Sequence, residues 1–255
     1  MTLNQFNQWA NDFLKMENFP SDPSRNGIQI QNSSPDEKQI KKIAFAVDAC
    51  LETAEGAAKE GADILFVHHG LFWGGCDVLT GNHYKRLASF IKNDLALIAY
   101  HIPLDANNPY GNNWGLAARL NPEKAETFGT WRGMDIGVKV ELKNPSTLSE
   151  IEEKILRPGK SPSMVFPFGK DTVKTAGIIS GGAADDVDQA VSEKLDLFIT
   201  GEMNHELYHY CKENCINVIA GGHYETETVG VNLVKAKVEK ELGLETVFLD
   251  IPTGL

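Results

Sequence analysis

The feature that most constrains this chain is a pattern that occurs twice. Asp63-Ile-Leu-Phe-Val-His68 has its counterpart in Asp196-Leu-Phe-Ile-Thr200-Gly201, more than 100 residues later. Each is a short apolar run rich in β-branched and aromatic residues, the kind that forms a strand buried on both faces. In both places a helix and a second apolar run follow. The first is Leu95 to Tyr100, ending at His101; the second is Ile216 to Ala220, with His223 just beyond. His101-x3-Asp105 and His223-x3-Glu227 then repeat one spacing. Solenoid units recur every ~20–50 residues, so a repeat this long is a duplicated domain.

The surrounding elements alternate. Ile43 to Val47 reads as a strand, Leu51 to Glu60 as a helix closed by Gly61, Tyr84 to Lys92 and Trp114 to Leu120 as helices. Ahead of them come a helix with the stripe Phe6, Trp9, Phe13 and Leu14, a turn-rich loop from Pro20 to Gly27, and an edge strand at Ile28–Ile30. Phe128 to Asp171 breaks the rhythm. There Ile136 to Leu142 alternates like a strand, Thr147 to Leu156 is helical, and the stretch to Pro167 is loop or edge. The opening pattern returns as strand Thr175–Ser180, helix Ala184–Lys194, strand Asp196–Thr200, helix Glu206–Glu213, strand Ile216–Ala220 and helix Val229–Leu242. Alternation of this sort predicts parallel sheets. We expect an α/β protein of two similar lobes, residues 1–127 and 128–255, with a crevice between their strand ends.

Composition narrows the classes of function. No run approaches the ~18 apolar residues of a membrane span, and Met1 to Asn18 lacks the basic start and apolar stretch of a signal peptide. The formal charge of -11 disfavours nucleic acid, whose phosphates call for clustered Lys and Arg. The one basic cluster, Lys38 to Lys42, is interrupted and reads as solvated surface. Cys50, Cys76, Cys211 and Cys215 are too sparse for a disulfide framework and form no CxxC pair. Cys211 and Cys215 share a predicted helix face, where burial is the simpler reading. A cytoplasmic, reducing location is expected.

On this map the polar residues fall into a pattern. Ile64-Leu-Phe-Val67 ends in His68, His69 and Gly70, and Gly70 permits a turn that would let both rings lean toward one crevice. Ligands of open α/β sheets bind beyond the carboxyl ends of the strands. Asp48, His68, His69, His101, Glu202 and His223 all fall at such ends, with Asp105 and Glu227 four residues further on, in loops. Of the seven histidines, only His83 and His209 sit in or beside helices away from these positions. An isolated His-His pair is ordinarily one packed and one solvated ring; so many imidazoles and carboxylates at strand ends indicate a metal site. Without thiolates the set suits zinc, iron, manganese, nickel or cobalt. One catalytic zinc needs about three protein ligands, whereas His68, His69, Asp105, His223 and Glu227 are five. A pair of ions about 3.5–4 Å apart would use them all. His101 reads equally as a residue that orients a ligand, and Glu202 as an acid facing a helix dipole.

Val67-His-His-Gly70, His101-x3-Asp105, Thr200-Gly-Glu202 and Gly222-His-Tyr-x-Thr-Glu227, in this order, resemble the Nif-three-like dinuclear-metal family. Its members are often named GTP cyclohydrolase type 2 homologues. The likeness covers almost the whole chain, including Asn26-Gly27-Ile28-Gln29, and the length matches the short form of the family. It implies two α/β lobes, a dinuclear metal site between them and a toroidal homohexamer. By motif match the family's ligands fall on His68, His69, Asp105, His223 and Glu227, with His101 adjacent. The turn Ser180-Gly-Gly-Ala-Ala184 is less glycine-rich than the family pattern; its amides read either as a phosphate cradle or as a tight β–α connection.

Two functions follow. One is a metal-dependent hydrolase, GTP cyclohydrolase-like, acting on a nucleotide or purine-like compound. Its nucleophile would be a hydroxide bridging two divalent ions, and Glu202 or His101 would move protons. The other is a non-catalytic metal-binding hexamer that acts as scaffold or regulator. Phe72, Trp73 and Tyr224 are candidates to stack on a planar base or to pack over the metals. Arg132 and Lys170 are candidates to meet phosphates.

Overall fold

A computed structural model describes residues 1–75 and 78–255. Cys76 and Asp77, within the loop expected over Leu71 to Asn82, lie outside the described residues. In chain order the elements are α1 (Leu3–Leu14), β1 (Gly27–Ile30), β2 (Lys42–Asp48), α2 (Leu51–Lys59), β3 (Ile64–His69), α3 (Gly81–Lys92), β4 (Ala96–Ala99), α4 (Ile102–Ala106) and α5 (Asn112–Arg119). They continue with β5 (Pro122–Trp131), β6 (Met134–Ser146), α6 (Leu148–Ile155), β7 (Met164–Pro167), β8 (Val173–Ile178), α7 (Val187–Ser192) and β9 (Leu197–Thr200). The chain then ends with α8 (Leu207–Glu213), β10 (Asn217–Ala220), α9 (His223–Leu242) and β11 (Glu245–Phe248). No helix among the described residues is long and apolar enough to cross a membrane.

The chain divides into two compact units, Met1–Leu104 with Val231–Ile251 and Asp105–Gly230 with Pro252–Leu255. The border expected between residues 127 and 128 falls inside β5, which belongs wholly to the second unit.

The first unit is built on a five-stranded sheet of order β1-β4-β3-β2-β11. β2, β3, β4 and β11 run parallel, and β1 closes the edge antiparallel to β4. All of Ile64 to His68 in β3 is buried, as a strand between two parallel neighbours requires. One face packs Ala44, Ala46, Leu65, Val67, Leu97 and Ala99 against Ala54 and Ala57 of α2 and Phe90 of α3. The opposite face carries Phe45, Phe66 and Tyr100 in ring contact at 5.2 and 5.7 Å. The Tyr100 hydroxyl donates to Asn11 Oδ1 of α1 at 2.6 Å, so its polar tip is satisfied while its ring is buried.

The second unit holds a six-stranded sheet of order β5-β6-β8-β9-β10-β7. β8, β9 and β10 are parallel and β7 lies antiparallel to β10. The series β1-β4-β3-β2 in the first sheet is therefore repeated, in order and in direction, by β7-β10-β9-β8 in the second. This is the duplication that the apolar runs announce. The departures from it are β11, and a long hairpin of β5 and β6 closed by Arg132 and Gly133, both at positive φ as a two-residue turn needs. β6 extends well beyond the expected Ile136–Leu142. The sequence offers no strand over β5, because its exposed half, Glu123, Lys124, Glu126, Thr127 and Thr130, is polar and leaves no apolar alternation to read.

One correction bears on the site. Asp105 and Glu227 are not in loops. Asp105 lies in α4, and α9 begins at His223 rather than at Val229, so Glu227 is one turn into a helix. Residues four apart on a helix share a face.

Candidate metal centre

The first unit brings three imidazoles together. His68 and His69 are the last two residues of β3, and His101 follows β4 immediately before α4. Ring centroids lie 4.5 Å apart for His68 and His69 and 5.1 Å for His68 and His101. One ligand nitrogen from each of the three lies within 4.8 Å of the others. Each ring is held at Nδ1. That of His68 bonds the Tyr100 carbonyl at 3.0 Å, that of His69 the Asp48 carboxylate at 2.8 Å, and that of His101 the Asp22 carboxylate at 3.0 Å. An oxygen acceptor at Nδ1 puts the proton there and leaves Nε2 as the lone-pair donor.

Gly70 serves a purpose other than the one expected. Its backbone is not left-handed; a Cβ there would lie 2.3 Å from the amide of Gln29. Asp22, which the sequence did not single out, has no exposed side-chain surface. It accepts from Ser24 N, Asn26 Nδ2, His101 Nδ1 and Ile102 N. Burial pushes its carboxyl up, but the His101 bond and charge, with Asn26 and Ser24, outweigh that and hold it below the ordinary value. The same loop sends Asn26 Oδ1 to the backbone N–H of His101 at 2.9 Å.

Asp105, His223 and Glu227 lie in the second unit. Asp105 Oδ1 accepts from Asn112 Nδ2 at 2.9 Å and Ser180 Oγ at 3.0 Å, both buried. Asn113, also fully buried, accepts from Ser180 N and donates to the Ile136 carbonyl. The only trace of this support in the sequence is the Asn112-Asn113 pair after a Pro/Gly-rich loop. His223 Nδ1 meets Glu202 Oε1 at 2.5 Å, and its Nε2 lies 3.2 Å from Glu227 Oε1. Burial pulls the imidazole down, but the Glu227 and then the Glu202 contacts outweigh it and push His223 up to about 9. Gly181, at φ +68°, permits this packing: a Cβ there would sit 2.2 Å from Glu227 Oε1.

These residues fit divalent cations. Asp105 and Glu227 are 7 % and 3 % exposed, and carboxylates so buried are paired or bind metal. Two carboxylates facing one imidazole favour positive charge, which a proton or a metal ion supplies. The hard oxygen and imidazole donors are those of zinc and of first-row transition metals.

Other candidates have different positions. The amides of Ser180 and Gly181 are donated internally, to Asn113 Oδ1 and Thr226 Oγ1, which leaves the turn as a tight connection. Arg132 stacks on Trp131 in the β5–β6 turn, and Lys170 pairs with Asp196 at 2.6 Å. His205 is exposed ahead of α8, while His83 and His209 lie on α3 and α8. Cys211 is buried as expected, but Cys215 is exposed beyond the end of α8.

The profile of the Duf34/NIF3 (NGG1p interacting factor 3) family matches residues 1–254. A protein of Treponema pallidum named GTP cyclohydrolase 1 type 2 homolog is 40% identical over 289 residues, covering 100% of both chains. One of the same name from Archaeoglobus fulgidus is 40% identical over 255 residues, again covering 100% of both. Among solved structures, a protein from Thermus thermophilus matches with a TM-score of 0.89 at 34% identity over 100% of each chain. Reduced HcgD from Methanocaldococcus jannaschii matches with 0.85 at 26% identity over 98% of each.

Proposed function

Because this chain belongs to the Duf34/NIF3 family, we propose that it is a dinuclear metal-dependent hydrolase, cyclohydrolase-like, acting on a nucleotide or purine-like compound. The observation that carries this reading is the common posture of the candidate ligands. His68, His69, His101 and His223 each have Nδ1 against an oxygen, three of them a carboxylate. Ligating histidines are characteristically held in this way.

Ligand number supports two ions served by both sets of donors. Two imidazoles from one unit with one imidazole and two carboxylates from the other are more donors than the three or so that a single catalytic zinc takes. In this reading His68, His69, Asp105, His223 and Glu227 are the ligands. Two divalent ions there would supply electrophilic polarisation for hydrolysis at carbon. Asp48, Asp22 and Glu202 orient rings; Asn112 and Ser180 orient Asp105. His101 and Glu202 are assigned the proton transfers, His101 through the nitrogen opposite its Asp22 bond.

The same reading includes self-association into the homohexamer that the family resemblance implies. Val78, Leu79, Tyr84 and Ile91 support it, being 56–80 % exposed on α3 and the segment before it. Tyr84 and Ile91, seven apart, share a helix face, and a second copy would bury it.

The deciding experiment is turnover of GTP and of dinucleotides by metal-loaded protein, with His68→Ala as control. Metal-dependent turnover lost in the variant is the expected result. Full metal content with no turnover of any nucleotide would favour a scaffold or regulatory protein instead.

A further inference from the structure

Three aromatic residues flank the candidate ligands in sequence, and their surroundings differ. Phe72 packs against the apolar core of the first unit, and Tyr224 is 4 % exposed. Trp73 is 41 % exposed. It is nevertheless held at its indole nitrogen and through its backbone. Its indole N–H donates to the Gly70 carbonyl at 3.0 Å, and its backbone bridges to Ser24. Arg25 N donates to the Phe72 carbonyl at 3.1 Å, and the Arg25 guanidinium bonds the Gly74 carbonyl. Gln29 Oε1 accepts from Leu71 N at 2.7 Å and Phe72 N at 3.2 Å. The Ser24–Gln29 segment, which includes Asn26-Gly27-Ile28-Gln29, is thus a clamp on the loop that carries the tryptophan. The glycine at position 70 leaves room for the Gln29 arm of that clamp.

The held ring forms a T-shaped pair with that of His101, centroids 4.8 Å apart at 77°, and lies 6.1 Å from His69. Its one polar side-chain atom is already bonded, so the exposed part of the ring has only aromatic carbon to offer a ligand. Leaving so large an apolar surface in water carries a hydrophobic cost. A rigid aromatic face loses little conformational entropy when a flat ligand settles on it.

We propose that Trp73 is the platform on which the planar heteroaromatic base of the substrate stacks, beside the three imidazoles. Arg25 and Gln29 act as positioning residues for that platform. The proposal rests on the nucleotide reading of this site, but it concerns binding and not turnover.

The test is calorimetric titration of metal-loaded protein with guanosine, GTP and, as a ligand without a base, inorganic tripolyphosphate. Wild type, Trp73→Ala and Trp73→Phe are compared, with metal content measured in each. Trp73→Ala should weaken guanosine and GTP about 5- to 150-fold, the equivalent of ~1–3 kcal/mol per stacked base. Trp73→Phe, which keeps an aromatic face, should lose less than about 5-fold. Tripolyphosphate affinity and metal content should stay at wild-type values in both. Unchanged guanosine affinity in Trp73→Ala would overturn the proposal. So would a parallel loss for tripolyphosphate, a loss of metal, or a wild type that binds no guanosine. Absence of turnover with these binding results intact would remove the hydrolase reading and leave the platform standing.

Discussion

Asp63 and Asp196 hold the same place in the two halves of the chain. Asp63, just before β3, accepts from the backbone N–H groups of Lys41 and Lys42 at 2.8 and 3.3 Å. Asp196, just before β9, accepts from Lys174 and Thr175 at 2.9 and 3.1 Å. Each also meets a lysine, Lys38 at 3.3 Å and Lys170 at 2.6 Å. In both units, then, one carboxylate ties the central strand to the start of its parallel neighbour.

That arrangement predicts a pH-dependent contribution to stability. Burial pushes the Asp196 carboxyl up, but Lys170 and the amides of Lys174 and Thr175 outweigh it and hold the group below 3.8. A depressed carboxyl stabilises fully above its unfolded value and ceases to do so as pH falls through the folded one. Asp196→Asn should therefore cost about 1–2 kcal/mol at pH 7. The gap from wild type should narrow below pH ~4. Denaturant melts at pH 7 and pH 3 check this; an equal gap at both would show that the charge is not involved.

The ligand assignment predicts composition. Purified protein should carry close to two transition-metal ions per chain, and Asp105→Ala or Glu227→Ala should lower that figure, since each removes a donor. Chelation should also lower the melting temperature, because a ligand bound only by the folded state stabilises it, by ~4 kcal/mol at a thousand times Kd. Elemental analysis showing full metal in both variants would reject these two residues as ligands.

Residues that hold the imidazoles should matter almost as much. Asp48→Asn and Glu202→Gln keep shape but remove the carboxylate charge that faces His69 and His223. Each should weaken metal binding about 10- to 100-fold in a chelator competition. Wild-type affinity in both would mean that the rings are positioned by packing alone.

Self-association makes a separate prediction. Ile91→Glu places a charge on the exposed apolar face of α3 and should reduce the mass in solution from a multiple of the 28.0 kDa chain toward a single chain. Light scattering on both proteins decides it; wild type at the mass of one chain would remove the hexamer.

What the sequence determined by itself was whatever a local pattern can carry. The runs Ile64–Val67 and Leu197–Thr200 are apolar because strands between two parallel neighbours are buried, so both strands and the repeat that relates them are legible. The positions of His68, His69 and His101 at strand ends follow directly. Tertiary structure alone decided what depends on partners far along the chain. β5 is polar on its own and forms a strand through β6; β11 pairs with β2, some 200 residues earlier. Asp22 is identified only by its bond to His101, 79 residues away, and the need for glycine at position 70 only by the Gln29 side chain. The helical start at His223 was hidden because Gly222 and the β-branched Thr226, Thr228 and Val229 are weak helix formers. Thr226 is held by hydrogen bonds to Gly181 N and the Gly222 carbonyl. Propensity is a property of neighbours in sequence, whereas these contacts exist only once the chain has folded.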